Sequence, residues 1–309
     1  MLGPVLFTMY ITPLGHVIRH YNALYHLFAD DTQLHKSSIP EHFTKLLLDI
    51  QSCAESVRDW MACNRLRMND DKTEIMPVGT KAKLKSVPQT SCLTLPGSAI
   101  PFSYKVRNLG VYLDSNLSMD QHVNLLCRSV FLELRRIGHL RRHMSADATK
   151  KLVSSFVLSR PGYCNSSLAG LLENRLDRLQ RVQNYVVRLV LGRRGRDHAK
   201  PLFRSLHWLP VRGRIEDKIS TLCYRSRDSS APAYFSDLLS VYQPSRSLRS
   251  ADAGLMTVPR IKLNKYGKHA FSYIGPVTWN SLPKALRGAL SLPSFKSNLK
   301  TFLFKKHLY

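Results

Sequence analysis

Asp30 and Asp31 stand side by side in the run Tyr25-His26-Leu27-Phe28-Ala29-Asp30-Asp31-Thr32-Gln33-Leu34, where apolar and aromatic residues lead into two negative charges and then resume. Adjacent like charges do not enter a core unpaired, so a chain with this pattern has to turn here and leave the pair outside. A hairpin does this, with two short strands flanking the acidic tip and presenting it to a bound cation. Magnesium suits that role, because it is a hard ion usually held by one or two carboxylates plus substrate phosphates. A solvated turn uses the same residue type for reasons unrelated to metal. The dipeptide by itself leaves both readings open.

Charge is distributed unevenly along the 309 residues. Residues 1–80 carry seven Lys/Arg against nine Asp/Glu, a balance of −2, whereas residues 81–309 carry thirty-nine against twelve, or +27. The whole excess behind the net +25 therefore lies downstream of the acidic tip. A field of that sign concentrates polyanions, and lysine and arginine contacts to phosphate give salt-sensitive binding without sequence choice. Nucleic acid is the expected partner; a basic coat serving only solubility is the alternative.

Periodicity supplies the coarse organisation. Pro40 opens a helix whose apolar positions Phe43, Leu46, Leu47, Ile50, Ala54, Val57 and Met61 keep the i, i+3, i+4, i+7 spacing. Thr73 to Val78 reads as a strand, pushed toward a sheet edge by Pro77. Residues 80–104 read as a short hairpin or loop carrying Leu93 and Leu95, and Val106 to Leu113 as a strand with Gly110 marking a bulge. Beyond residue 115 the pattern is helical. Ser118 and Gln121 form a capping box ahead of the stripe Met119, Val123, Leu126, Val130, Leu134, Ile137 and Leu140. Ser145 caps a second helix with Ala148, Leu152, Phe156 and Val157, which stops before Pro161-Gly162. A third runs from about Leu172 to Leu191 and ends at Gly192. Arg135, Arg136, Arg141 and Arg142 cluster near the end of the first of these helices. Arg175, Arg178, Arg181 and Arg188 fall off the apolar stripe of the third, and Arg193, Arg194 and Arg196 extend the charge past it. From about residue 226 the chain is richer in Ser and Pro, with basic runs at 245–250 and 260–265. Trp279, Tyr273 and Phe271 with Phe295, Leu299, Phe302 and Leu303 are expected to form a small satellite core; stacking of those rings on exposed bases is the other use.

The six cysteines, at 53, 63, 92, 127, 164 and 223, make no C-x-x-C pair, so no zinc knuckle is encoded and they read as reduced core thiols. The histidines do not cluster. No run approaches the ~18 consecutive apolar residues of a membrane span, and no basic n-region precedes an apolar stretch. The expected location is intracellular, nucleus or cytoplasm.

Four blocks in order resemble the second half of a reverse transcriptase palm of the LINE-like, non-LTR retrotransposon type: Leu2-Gly3-Pro4-Val5-Leu6-Phe7 with Tyr10-Ile11; Phe28-Ala29-Asp30-Asp31-Thr32; Leu66-Arg67-Met68-Asn69-Asp70-Asp71-Lys72-Thr73-Glu74; and Asn108-Leu109-Gly110-Val111-Tyr112-Leu113-Asp114. In that family these are the end of the template-contacting helix, the catalytic Asp-Asp hairpin, the strand with a nucleotide-side lysine, and the primer grip. Leu179-Gln180-Arg181-Val182-Gln183-Asn184, Leu206-His207-Trp208-Leu209-Pro210-Val211 and Trp279-Asn280-Ser281-Leu282-Pro283 resemble the region that follows.

The resemblance implies an α+β fold in three parts. Residues 1–115 are a partial palm, an antiparallel sheet with a packed helix; 116–225 are an α-helical thumb; 226–309 are a small basic C-terminal region. It implies Asp30 and Asp31 as catalytic and magnesium-holding residues, Lys72 on the nucleotide side, and an RNA template with a DNA primer or duplex as partners. The eleven arginines named above would contact phosphates rather than bases. One departure matters. In the family another catalytic Asp lies on an upstream strand, and Met1 falls inside the motif that follows it. The expectation is therefore an N-terminally truncated RNA-directed DNA polymerase that binds magnesium weakly and is inactive or barely active, since misplacement by about 1 Å costs roughly 100-fold in rate. The alternatives are a non-catalytic RNA- or DNA-binding protein derived from it, or an unstable product of a decayed element.

Overall fold

The computed structural model describes residues 2–88, 91–193, 195–244 and 253–309. Packing divides the chain into two compact units, Met1–Ser118 and Met119–Tyr309. The architecture is α+β, with three two-stranded antiparallel sheets and helices among the described residues.

The first unit opens with helices α1 (Gly3–Ile11) and α2 (Leu14–His20), followed by strands β1 (Leu24–Phe28) and β2 (Asp31–His35). Pro40, whose fixed φ suits a first helical turn, starts a short 3-10 turn that runs into α3 (Phe43–Cys63). The apolar period of α3 buries Cys53, Val57 and Met61 against Ile11, Leu14, Ile18 and Ala23, with Tyr25, Leu27 and Leu34 of the first hairpin packed on the same cluster. Ala54 faces a second cluster of Leu93, Leu95 and Ile100. Those residues belong to the hairpin β3 (Cys92–Leu95) and β4 (Ser98–Pro101), which follows the short helix α4 (Lys81–Lys85). The hairpin turns at Pro96-Gly97, where Gly97 takes φ +83°.

Two expectations are corrected here. Val106 to Leu113 is not one strand with a bulge but a hairpin, β5 (Lys105–Asn108) and β6 (Val111–Asp114). Leu109 and Gly110 form its two-residue tip with φ +44° and +83°, the positive pair that a tight hairpin of right-handed twist requires. Thr73 to Val78 makes no strand beyond a single bridge from Ile75 to Phe102. Pro77 has no N–H to offer a ladder, and the Thr73 N–H is already used by the Asp70 carbonyl of the preceding turn.

The second unit is helical: α5 (Asp120–Leu140), α6 (Ala146–Leu152), α7 (Ser159–Gly162), α8 (Glu173–Leu191), α9 (Ala199–Leu206), α10 (Val211–Arg227), α11 (Ala233–Asp237), α12 (Asn264–Gly267), α13 (Phe271–Asn280), α14 (Lys284–Arg287) and α15 (Leu292–Leu308). The expected capping box is not made. Ser118 bonds back to the Asp114 carboxylate through both its N–H (3.0 Å) and its hydroxyl (2.9 Å), and α5 starts two residues later behind Met119. Ser145 does cap α6, accepting the Ala148 N–H at 3.1 Å. Between α6 and α7 the helix widens to a π turn, Val153–Leu158. The wider turn shifts the phase of the stripe, so Val153, Val157 and Leu158 are buried while Phe156, expected inside, is exposed.

Helices α5 and α8 pack side by side and run in the same direction. Arg175 at the start of α8 pairs with Asp120 at the start of α5, and Arg141 just past α5 bonds the Leu189 and Val190 carbonyls at the end of α8. Gly192, at φ +62°, then terminates α8. Helix α10 spans residue 225 and packs on α13 and α15. Trp279 and Phe295 of the C-terminal region are used for packing. Trp279 is fully buried and its Nε1 donates to the Gly254 carbonyl at 2.8 Å, and Tyr224 of α10 stacks on Phe295 at 4.5 Å. The basic run at 245–250 lies outside the described residues; Arg260 and Lys262 are exposed. Of the cysteines, Cys53, Cys127 and Cys223 are buried as expected, whereas Cys63 at the end of α3 is exposed, because it lies beyond the last buried position, Met61.

Candidate functional site

Phe28 pairs with Asp31, so β1 and β2 are joined by just Ala29 and Asp30. Ala29 sits at φ +53°, a left-handed conformation that costs an L-residue with a Cβ roughly 1–2 kcal/mol. Strain of this kind persists only where the surroundings over-determine it. Here they do. The inward positions Tyr25, Leu27 and Leu34 are packed on the α2–α3 core. Arg19 donates to the Tyr25 hydroxyl at 2.5 Å, and a Cβ on Gly15 would run into that hydroxyl, so a larger residue there would have to displace the Tyr25 ring. Lys36, just past β2, is held by Asp49 (2.7 Å) and the Tyr21 carbonyl (2.8 Å). Alternation along the strands then sends Phe28 and Asp31 outward. Asp30, Asp31 and Phe28 are all exposed.

The hairpin β5–β6 is joined to this one by a side-chain bond, Gln33 Nε2 to Asn108 Oδ1 at 2.6 Å. The structure thus links the Asp-Asp block to the Asn108–Asp114 block, 75 residues apart in sequence at that bond. Lys72 is exposed, and it ends a one-turn 3-10 helix, Asp70–Lys72, rather than preceding a strand. Asn69 sets that turn by accepting the Lys72 N–H at 3.2 Å. Its neighbour Asp70 is structural: Ser98 and the Arg58 guanidinium hydrogen-bond it, which holds its carboxyl below the usual range.

The tip residues are the right kind of ligand for a hard divalent ion, since both bring exposed carboxylate oxygens. They are few. Among the described residues no three His, Cys, Asp or Glu side chains converge as a metal site. Asp30 and Asp31 would hold magnesium only with phosphate, water or further oxygen ligands completing the shell.

The arginines divide by what they touch. Arg135, Arg136, Arg142, Arg178, Arg181, Arg193 and Arg196 are exposed, Arg136 with Glu133 at 3.3 Å. Arg141 caps α8, Arg175 pairs with Asp120, and Arg188 Nε donates to the Asp197 carbonyl at 2.9 Å, so these three guanidinium groups serve the fold. Arg194 lies outside the described residues. Arg128, exposed on α5 seven residues before Arg135, was missed by the sequence reading although the spacing alone puts the two on one face. Among the described residues no helix is long and apolar enough to cross a membrane.

Residues 1–113 match the family model for reverse transcriptase (RNA-dependent DNA polymerase). That stretch contains the Asp30–Asp31 tip, Lys72 and the turn of the β5–β6 hairpin. No curated protein and no solved structure matches the chain.

Proposed function

We propose that this chain supplies the Asp-Asp hairpin and the downstream nucleic-acid-holding region of an RNA-directed DNA polymerase of the LINE-like, non-LTR type. The observation that carries the reading is the exposed carboxylate pair on a strained two-residue tip, inside the segment that matches the family model. Asp30 and Asp31 would hold magnesium, which when bound would offset phosphate charge and favour attack by a primer hydroxyl. Lys72 faces the incoming nucleotide and adds positive charge where the triphosphate lies. The β5–β6 hairpin positions the primer end, kept in register with the acidic tip by the Gln33–Asn108 bond. Residues 116–225 act as a thumb whose exposed arginines track the phosphates of an RNA template and DNA primer.

Two adjacent carboxylates do not clamp both the attacking and the leaving oxygen of an in-line displacement. With these two carboxylates alone the tip is expected to give no turnover, and the role proposed for these residues is nucleic-acid binding with weak magnesium binding at the tip. The exposed arginines of this region favour this binding role directly.

Iron(II)-mediated backbone cleavage in the presence of ascorbate and hydrogen peroxide tests the metal assignment, because Fe2+ replaces Mg2+ and generates hydroxyl radical, which cleaves the backbone close to where the iron binds. Cuts at Phe28–Thr32 are expected and should vanish in Asp30→Asn with Asp31→Asn; cuts elsewhere, or cuts insensitive to that double substitution, reject the site. Primer extension on an RNA template with magnesium should show no incorporation. Incorporation abolished by the same double substitution would overturn the claim of inactivity.

A further inference from the structure

The parallel packing of α5 and α8 brings two partly exposed aromatic residues together in the middle of a cationic face. Phe131 on α5 and Tyr185 on α8 are 40% and 45% exposed, and their rings meet edge-on at 6.0 Å. Exposed arginines flank them on both helices. Arg128 and Arg135 are three residues before and four after Phe131, and Arg181 and Arg178 are four and seven before Tyr185, spacings that keep each set on one helix face. Arg178 is near enough to α5 to act electrostatically on Cys127. None of the four arginines forms an ion pair with a carboxylate among the described residues, unlike Arg136, Arg175 and Arg212 elsewhere in this unit.

The two rings stay half-exposed between the arginines and present flat apolar faces that the helix packing does not cover. Together they match one ligand chemistry. A phosphate backbone satisfies the guanidinium groups, and a base freed from pairing lays its flat face on an aromatic ring, a contact indifferent to base identity. A duplex satisfies only the first of these, because its bases are already stacked on each other.

We propose that the Phe131–Tyr185 pair with Arg128, Arg135, Arg178 and Arg181 is a docking surface for an unpaired stretch of nucleic acid, the rings stacking a base and the arginines holding its phosphates. The proposal rests on the nucleic-acid-binding reading above and adds to it a preference for single strand over duplex at this face.

The test uses the full chain and fluorescently labelled 12-nucleotide oligo-U, oligo-dT and a 12-base-pair duplex, with affinities measured by anisotropy at several salt concentrations. Tyr185→Ala and Phe131→Ala are each expected to weaken binding of the single strands about ten-fold, in the range found for loss of one base stack, and to leave the duplex unchanged. Arg178→Ala with Arg181→Ala should weaken all three ligands and flatten the salt dependence. Equal losses for duplex and single strand on removing the rings, or no loss for either, overturn the stacking surface. If binding of every ligand is absent or independent of salt, the broader reading fails as well. Independently of any variant, an oligo carrying 5-iodouridine should photo-crosslink to Tyr185 or Phe131; a crosslink confined to other residues overturns the placement. RNA and DNA strands binding alike supports recognition through base face and phosphate, and capture of an acidic peptide in place of either strand counts against it.

Discussion

At the β1–β2 tip, two carboxylates are exposed because a two-residue turn with Ala29 at φ +53° leaves them nowhere else to point. In the helical unit, exposure of a charge is instead decided by the neighbour it meets. Arg141 and Arg142 are adjacent in sequence, yet Arg141 is spent on the carbonyls of α8 while Arg142 stays exposed. The difference teaches where a local pattern is enough. A turn constrains the side chains on it through the backbone itself. A helix constrains only the face on which a side chain lies, and leaves its partner to tertiary packing.

The largest effect that bears on this contrast should come from the helical unit's aromatic core. Trp279→Ala removes a fully buried ring and the bond to Gly254, and should cost about 3–5 kcal/mol in chemical denaturation. Hydrogen exchange should accelerate first in α13 and α15. If the loss is under about 1 kcal/mol, this ring is not the keystone its burial indicates.

The two kinds of arginine separate next. Arg141→Ala leaves orphaned helix carbonyls, so about 1–3 kcal/mol of stability should go. Nucleic-acid affinity at a temperature where the variant is folded should hardly move. Arg178→Ala with Arg181→Ala should do the reverse, shifting the denaturation free energy by no more than about 0.5 kcal/mol while lowering the salt slope by roughly one per lost phosphate contact. Identical behaviour of the two variants would erase the distinction.

At the acidic tip, Ala29→Gly relieves a left-handed alanine, and up to about 1 kcal/mol of stabilisation should remain once the extra freedom of glycine in the unfolded chain is offset. A destabilised Ala29→Gly protein would show that the tip is not strained.

Thiol labelling supplies a smaller test. Cys63 is exposed and should react first. Cys223 should resist until unfolding, because burial pushes its thiol up to about 12 and so suppresses the reactive thiolate. The smallest effect is a pH dependence. Burial of Glu216 raises its pKa, but the His307 ring beside it (3.3 Å) and the hydrogen bond from Lys306 (2.8 Å) outweigh that and hold the carboxyl below its ordinary value of 4.5. Its contribution is therefore present above that value and lost as pH falls through the lower folded value. Glu216→Gln should blunt the acid side of the stability curve and leave neutral pH less stable; an unchanged acid limb would assign the loss to other groups.

Much of this was legible in the residues. Alternation around Asp30–Asp31 announced a hairpin, Ser145 announced a cap, and the stripes of α3, α5 and α8 announced their buried faces. What stayed hidden depended on partners far along the chain. Ser118 carries the signature of a capping box, yet the Asp114 carboxylate competes for its hydroxyl and wins. Gly110 reads as a bulge until Leu109 is seen to share its positive φ and complete a turn. Phe156 falls on an apolar stripe that a π turn rotates out of the core.

The order of residues alone determined the acidic turn, the helical periods and the shift from a slightly negative first quarter to a strongly basic remainder, because these follow from steric limits on φ and ψ and from the spacing of apolar side chains. Only the tertiary structure decided which arginines remain available, that Gln33 ties one hairpin to another, and that Phe131 and Tyr185 meet. Those contacts join residues some fifty or more positions apart, and side chains that distant meet only when the packing of whole elements has brought their faces together.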